Sequence, residues 1–254
     1  MTAAVTSAEE GTAETVPVVF VPAAPMMLAR LNPAPTAEQS AVIRASLEAV
    51  QALSGCRRVI LLASAGMGLR PDMPTQPTVV QQVELPPPRE PADDPNARDP
   101  AAPAAVLVGA ELLGRCGYGG RVAAFVACGT PEQVGVAPSL TVTAGDGLLV
   151  VGDGTATRHE KAPGHVVDGA VGLDRRIASM LASADLDGLL GLSADMDDRY
   201  LLDGRPAWQA AAHLIRRTGT VREARLLGFF DPQHVAYFVA EWSVAPSADV
   251  TSPA

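Results

Sequence analysis

The chain opens its ordered pattern with Thr15 to Pro22, a run that is apolar from Val16 through Val21. Such a run marks a strand covered on both faces. Pro17, lacking an N–H, predicts an edge strand or a strand's first residue. Thr36 then stands as an N-cap with Gln39 at the N3 position of a capping box. Val42, Ile43, Leu47, Val50 and Leu53 recur at helical spacing, and Gly55 ends the element. Val59 to Ala63 reads as a second buried strand. Strand, helix and strand in that order predict a parallel pair joined by a right-handed crossover.

Between Leu85 and Pro103 prolines crowd among charged residues, a composition that supports neither ladder nor helix and predicts a loop. Pro103 to Cys116 resumes helical spacing, and Val122 to Ala127 and Gly147 to Gly152 read as further strands. Helical periodicity dominates from Asp168 to Thr218, as in Leu173, Ile177, Met180 and Leu181. Ala224 to Phe230 and Val235 to Trp242 are two strands around Asp231-Pro-Gln-His234, a hairpin pattern. The expected fold class is α/β: a three-layer α/β/α domain with a mostly parallel central sheet and a late antiparallel strand pair. The expected division is a disordered tail over 1–14, one domain over 15–244, and a disordered tail over 245–254.

Composition narrows the function classes. With 48% hydrophobic residues the 254-residue chain can build a full core. A net charge of −9 with no basic stripe argues against nucleic acid as a partner. The first fourteen residues lack a basic and an apolar region, so they do not read as a signal peptide. No apolar run approaches the roughly 20 residues of a membrane span. Cys56, Cys116 and Cys128 lie far apart, which suits a reducing compartment and a cytoplasmic protein. Lys161 is the only lysine against eighteen arginines.

The stretch with most chemistry runs from Val150 to Gly164, where a strand gives way to Gly152-Asp-Gly-Thr-Ala156 and then to Arg158-His-Glu-Lys161. Ligands in open α/β sheets sit beyond the carboxyl ends of strands, so Asp153, Thr155, His159, Glu160 and Lys161 are the candidate ligand-binding residues. Lys161 and Glu160 are also the catalytic candidates, the lysine holding an anion or serving as a base if desolvated. The plainer account is a solvated loop in which Asp153 caps its own turn and Lys161 pairs with Glu160 for about 0–1 kcal/mol.

This segment resembles the Gly-Asp-Leu-Ser-His-Arg strand end of class III extradiol dioxygenases, of the protocatechuate 4,5-dioxygenase β-subunit and Memo-like types. Phe20-Val-Pro-Ala-Ala-Pro25 is similar to the family's Val-Pro-His-Pro-Pro opening, and Phe230 to Trp242 resembles its closing strands. The similarity runs from about Val16 to Trp242 and is nearest to shorter actinobacterial members. The resemblance implies non-haem Fe(II) held by two histidines and a glutamate, with another histidine as acid and base. Here the opening histidine falls on Ala23, the second ligand falls among Ala63 to Gly68, and the acid/base histidine falls on or beside Ala156. Alanine offers no lone pair to a metal, so no metal residues and no cofactor are expected.

His159, His165 and Glu160 could compose a 2-His-1-carboxylate set, though their spacing matches no iron or zinc pattern. His213 reads as a packed helix residue and His234 as a turn residue. Arg205 and Trp208 begin a helix placed to cover a pocket, with Pro206 in its first turn. Ser64-Ala-Gly-Met-Gly68 is no nucleophile elbow, and no P-loop or dinucleotide fingerprint occurs. Three functions stay open: an iron-free relative that binds a small ligand, with an anion as the candidate class; a working oxidoreductase with an unorthodox site; and a Memo-like scaffold for another protein. A homo-oligomer is left open as well.

Overall fold

A computed structural model describes residues 15–65, 80–83, 103–129, 134–136 and 139–247. The expected loop over 85–103, apart from Pro103, lies outside these residues, as do the 1–14 tail and most of the 245–254 tail.

The apolar runs become the central strands. β1 (Val16–Val21), β2 (Arg58–Ser64), β4 (Arg121–Ala127) and β5 (Asp146–Val151) lie parallel, with β3 (Val80–Val83) antiparallel beside β4. The long late strands β6 (Gly219–Phe230) and β7 (Tyr237–Pro246) form an antiparallel pair, and β7 runs antiparallel to β1. The seven-stranded order is β3-β4-β2-β5-β1-β7-β6. Every residue of β5 is buried, its apolar residues 148–151 between the two helical layers and Asp146 paired with Arg58 at 2.7 Å.

Helices cover both faces. α1 (Ala37–Val50) and α2 (Ala104–Arg115) pack on one side, enclosing Val19, Val21, Leu61 and Leu149. α3 (Ala170–Ser183) and α6 (Arg205–Thr218) pack on the other, around Phe20, Leu62, Val150 and Trp242. The short helices α4 (Leu186–Leu190) and α5 (Asp195–Tyr200) link them. Alternate residues of β1 and β5 thus feed opposite cores, which is the pleat expressed as layers. The fold is α/β, as expected, and the Thr36 capping box forms in full, with Thr36 Oγ1 accepting the Gln39 N–H and Gln39 Oε1 accepting the Thr36 N–H.

Three local expectations change. Pro17 lies in a central strand, paired with Ser243 of β7. It is tolerated because the ladder to β5 starts one residue later, at Val18 opposite Leu148. β1 and β2 are parallel but not neighbours, because β5 inserts between them; helical spacing fixes a crossover but not which strand later fills the gap. β3 has the short, half-polar pattern Val-Gln-Gln-Val and gave no strand signal. In addition, β7 continues to Pro246, past the expected domain end at residue 244.

Candidate functional site

Three parallel strands end at one edge of the sheet, β1 at Val21, β2 at Ser64 and β5 at Val151. The residues just past them, Ala23, Ala24, Ala65, Asp153, Gly154 and Ala156, line a cavity of about 810 Å³. The first turn of α2, the loop at Asp203 and the entry to β7 at Val235 and Tyr237 complete its wall. This is where open α/β sheets place their ligands, and the volume suits a small organic molecule. A second cavity of about 510 Å³ lies beside α1, lined by Met27, Ile43 and the exposed charges Arg44, Glu48 and Arg115. It lies off the strand ends and its charged groups are all exposed, so the strand-end cavity is the candidate.

Its polar floor is built by two glycine contacts. A methyl group on Gly152 would sit 2.5 Å from Gly204 Cα, and one on Gly204 would sit 2.8 Å from the Asp153 carbonyl oxygen. Without side chains there, the loop after β5 and the loop before α6 touch, and the Gly204 N–H donates to the Asp153 carbonyl at 2.7 Å. The contact brings Asp153 and Asp203 to the same cavity wall. Asp153 Oδ1 also accepts the Ala23 N–H at 2.7 Å.

The electrostatics are unusual. Burial, and then the Asp203 charge, raise Asp153 from the ordinary 3.8 to about 8, against the lowering effect of the Ala23 and Ala24 N–H groups. Burial, then Asp197, raise Asp203 to about 6. Tyr237, only 3% exposed, is pushed upward by burial and then by Asp153. At neutral pH the floor therefore holds a protonated Asp153 beside a mostly ionised Asp203 and a neutral phenol.

Among the expected residues, Asp153 and Lys161 line this cavity, Lys161 as an exposed residue at the rim. Thr155 faces inward: its hydroxyl donates to Asp174 Oδ2 at 2.6 Å and its N–H to Oδ1 at 3.1 Å. Asp174 is also ion-paired with Arg158 Nε at 3.0 Å, and Arg158 reaches Asp231 at 3.3 Å. This buried cluster ties the loop to α3 and leaves Thr155 no group for a ligand. Glu160 is exposed and does not line the cavity. His159 is exposed, its ring stacked on His234 with centroids 4.0 Å apart, and its Nδ1 accepts the Lys161 N–H at 3.1 Å. His165 is exposed. His213 is half-buried on α6, its pKa lowered by burial and then by Arg216 and Arg217.

Arg205 does not reach the cavity. It is 1% exposed and grips Asp197 through Nε at 2.7 Å and a second nitrogen at 2.6 Å, with further donations to Gln209 Oε1 and the Gly129 carbonyl. It anchors α6 instead of covering a pocket. Trp208 is likewise a core residue, edge-on to Phe238.

Asp203 and Tyr237 are the functional candidates that sequence reasoning missed. The available signals were the Asp203-Gly204 pair facing the Gly152-Asp-Gly154 pair, and an otherwise apolar strand entry interrupted by a phenol. One further sign of a site is strain. Gln233, which lines the cavity, and His234 both have φ near 60°. Such a pair costs on the order of 1–3 kcal/mol per residue and concentrates at functional turns.

The residues do not fit the iron of the resembled dioxygenases. Ala23 and Ala156 line the cavity at or beside positions where the resemblance places histidine, Ala65 lines it from the 63–68 stretch assigned the second ligand, and the remaining polar groups include no imidazole. Among the described residues no group of three or more His, Cys, Asp or Glu could hold a metal. No helix among them is long and apolar enough to cross a membrane. No protein-family model matches this chain, and neither does any curated protein.

Proposed function

We propose that this chain is a divergent, iron-free relative of the class III extradiol dioxygenases whose strand-end cavity binds a small organic molecule. The observation that carries the reading is convergence. Three stretches far apart in sequence, at Ala23, within 63–68 and at or beside Ala156, are those the resemblance assigns to two metal ligands and an acid/base histidine, and Ala23, Ala65 and Ala156 bring all three to one cavity. Replacing imidazole by methyl empties that space and removes the donors together. What remains is a mostly apolar chamber with a few convergent polar groups, the usual make-up of a small-molecule site.

The test is a titration of the ¹⁵N-labelled full chain with catechol, benzyl alcohol and benzylamine. Binding at the cavity shifts the amides of Ala23, Gly154, Ala156 and Tyr237. Shifts confined to the α1 cavity around Met27 and Ile43, or no shifts with any compound, contradict the proposal.

One observation favours a second reading, metal-independent proton transfer. A carboxyl that titrates at about 8 is matched to general acid–base work near neutral pH. In that reading Asp153 takes the role first given to Lys161 and Glu160, since it is half-buried in the cavity wall and they are exposed.

A further inference from the structure

The cavity floor has an asymmetry that specifies what it takes. Two carboxyl groups, Asp153 and Asp203, and the phenol of Tyr237 share it. Tyr237 is almost wholly buried, yet among the described residues its hydroxyl has no hydrogen-bond partner. The Asp203 side chain also accepts no hydrogen bond there. Both groups open onto the cavity, where the N–H donors of a bound molecule would satisfy them.

The formal positive features are Lys161 at the rim and the first turn of α2. Neither acts on the acid pair: Asp153 is lowered only by the Ala23 and Ala24 N–H groups, and Asp203 by nothing. Asp197 behind Asp203 adds further negative charge. An anion brought to this floor would meet the Asp203 carboxylate with no cationic side chain beside it. A cation with several N–H donors meets Asp153, Asp203 and Tyr237 at once.

Resting on the ligand-binding reading above, we infer that the cavity takes an organic ammonium ion with a compact apolar body, its N–H donors shared among Asp153, Asp203 and Tyr237. The proton balance is simple: a neutral carboxyl and an ammonium enter, a carboxylate–ammonium pair and one released proton leave. The walls of Ala23, Ala24, Ala65 and Val235 suit the apolar body.

The experiment is calorimetry of the full chain with benzylamine, benzyl alcohol and benzoate, which share size and differ in charge. Benzylamine should bind most tightly, release close to one proton when two buffers of different ionisation enthalpy are compared, and gain roughly ten-fold in affinity per pH unit between about pH 6.5 and about pH 7.5. Asp203→Asn should weaken benzylamine by at least about ten-fold, with thermal unfolding confirming that the variant is folded. The wild-type pH series decides the matter even if the variant fails to fold. Benzoate or benzyl alcohol binding more tightly than benzylamine, or benzylamine affinity flat with pH, overturns the ammonium inference and leaves the cavity reading standing. No binding by any of the three overturns both.

Discussion

Replacing Asp153 by asparagine should make the protein more stable at neutral pH, which is the reverse of what most substitutions at a candidate site do. Asparagine keeps the size of the side chain and keeps an oxygen to accept the Ala23 N–H at 2.7 Å. What it removes is a titration. Asp153 ionises near 3.8 in an unfolded chain and at about 8 in the folded one. Stability from this group is therefore complete below about pH 4 and is lost progressively as pH rises toward 8. At pH 7 the folded chain holds a proton that the unfolded chain has released, across roughly three pH units. At about 1.4 kcal/mol per unit the ceiling is about 4 kcal/mol. The cavity is open to water, which screens the group, so we expect about half, roughly 2 kcal/mol. For a chain of this size that raises Tm by about 4–8 °C. Urea unfolding of wild type and D153N at several pH values between about 4 and 8 measures it. The difference should be near zero at the acid end and grow with pH. Equal stability at pH 7, or a difference that does not change with pH, refutes the assignment of a buried, proton-holding Asp153.

The supporting structure gives further expectations. Thr155→Val removes the 2.6 Å hydroxyl donation to the fully buried Asp174 and should cost about 1.5–3 kcal/mol in urea unfolding; a neutral effect would show that Arg158 and the residue-155 N–H satisfy that carboxylate without the hydroxyl. Arg205→Met strips Asp197, Gln209 and the Gly129 carbonyl of their shared donor and should cost roughly 3 kcal/mol, read as a lowered urea midpoint. Gly152→Ala places a methyl 2.5 Å from Gly204 Cα, where only backbone can give way. It should cost about 1–3 kcal/mol and, by parting Asp153 from Asp203, lower the pH at which Asp153 titrates in a carboxyl-detected NMR titration.

Much of the fold was legible because long apolar runs and capped, periodic helices are local signals. The Thr36–Gln39 capping box, the wholly buried β5 and the late strand pair follow from neighbours in sequence. Sheet order is not local: nothing between Val16 and Ala63 reveals that β5, eighty residues later, separates β1 from β2. Of the site, Asp153 was legible because it follows a strand directly. Asp203 was not, since its role depends on Gly152 meeting Gly204 across the chain. Thr155 and Arg205 show the converse: polar residues in suggestive places whose hydrogen bonds turn inward to hold the loops that shape the cavity.

The most direct test of the central claim, a dioxygenase-like cavity without its iron site, is metal stoichiometry. The full chain is incubated anaerobically with Fe(II), freed of unbound metal and assayed for iron per chain, with calorimetry reporting affinity. The account predicts no stoichiometric iron, because Ala23, Ala65 and Ala156, which line the cavity from the stretches where the resemblance places histidine, offer no donors. One tightly held iron per chain would contradict it and make His159, His165 and Glu160 the first residues to replace.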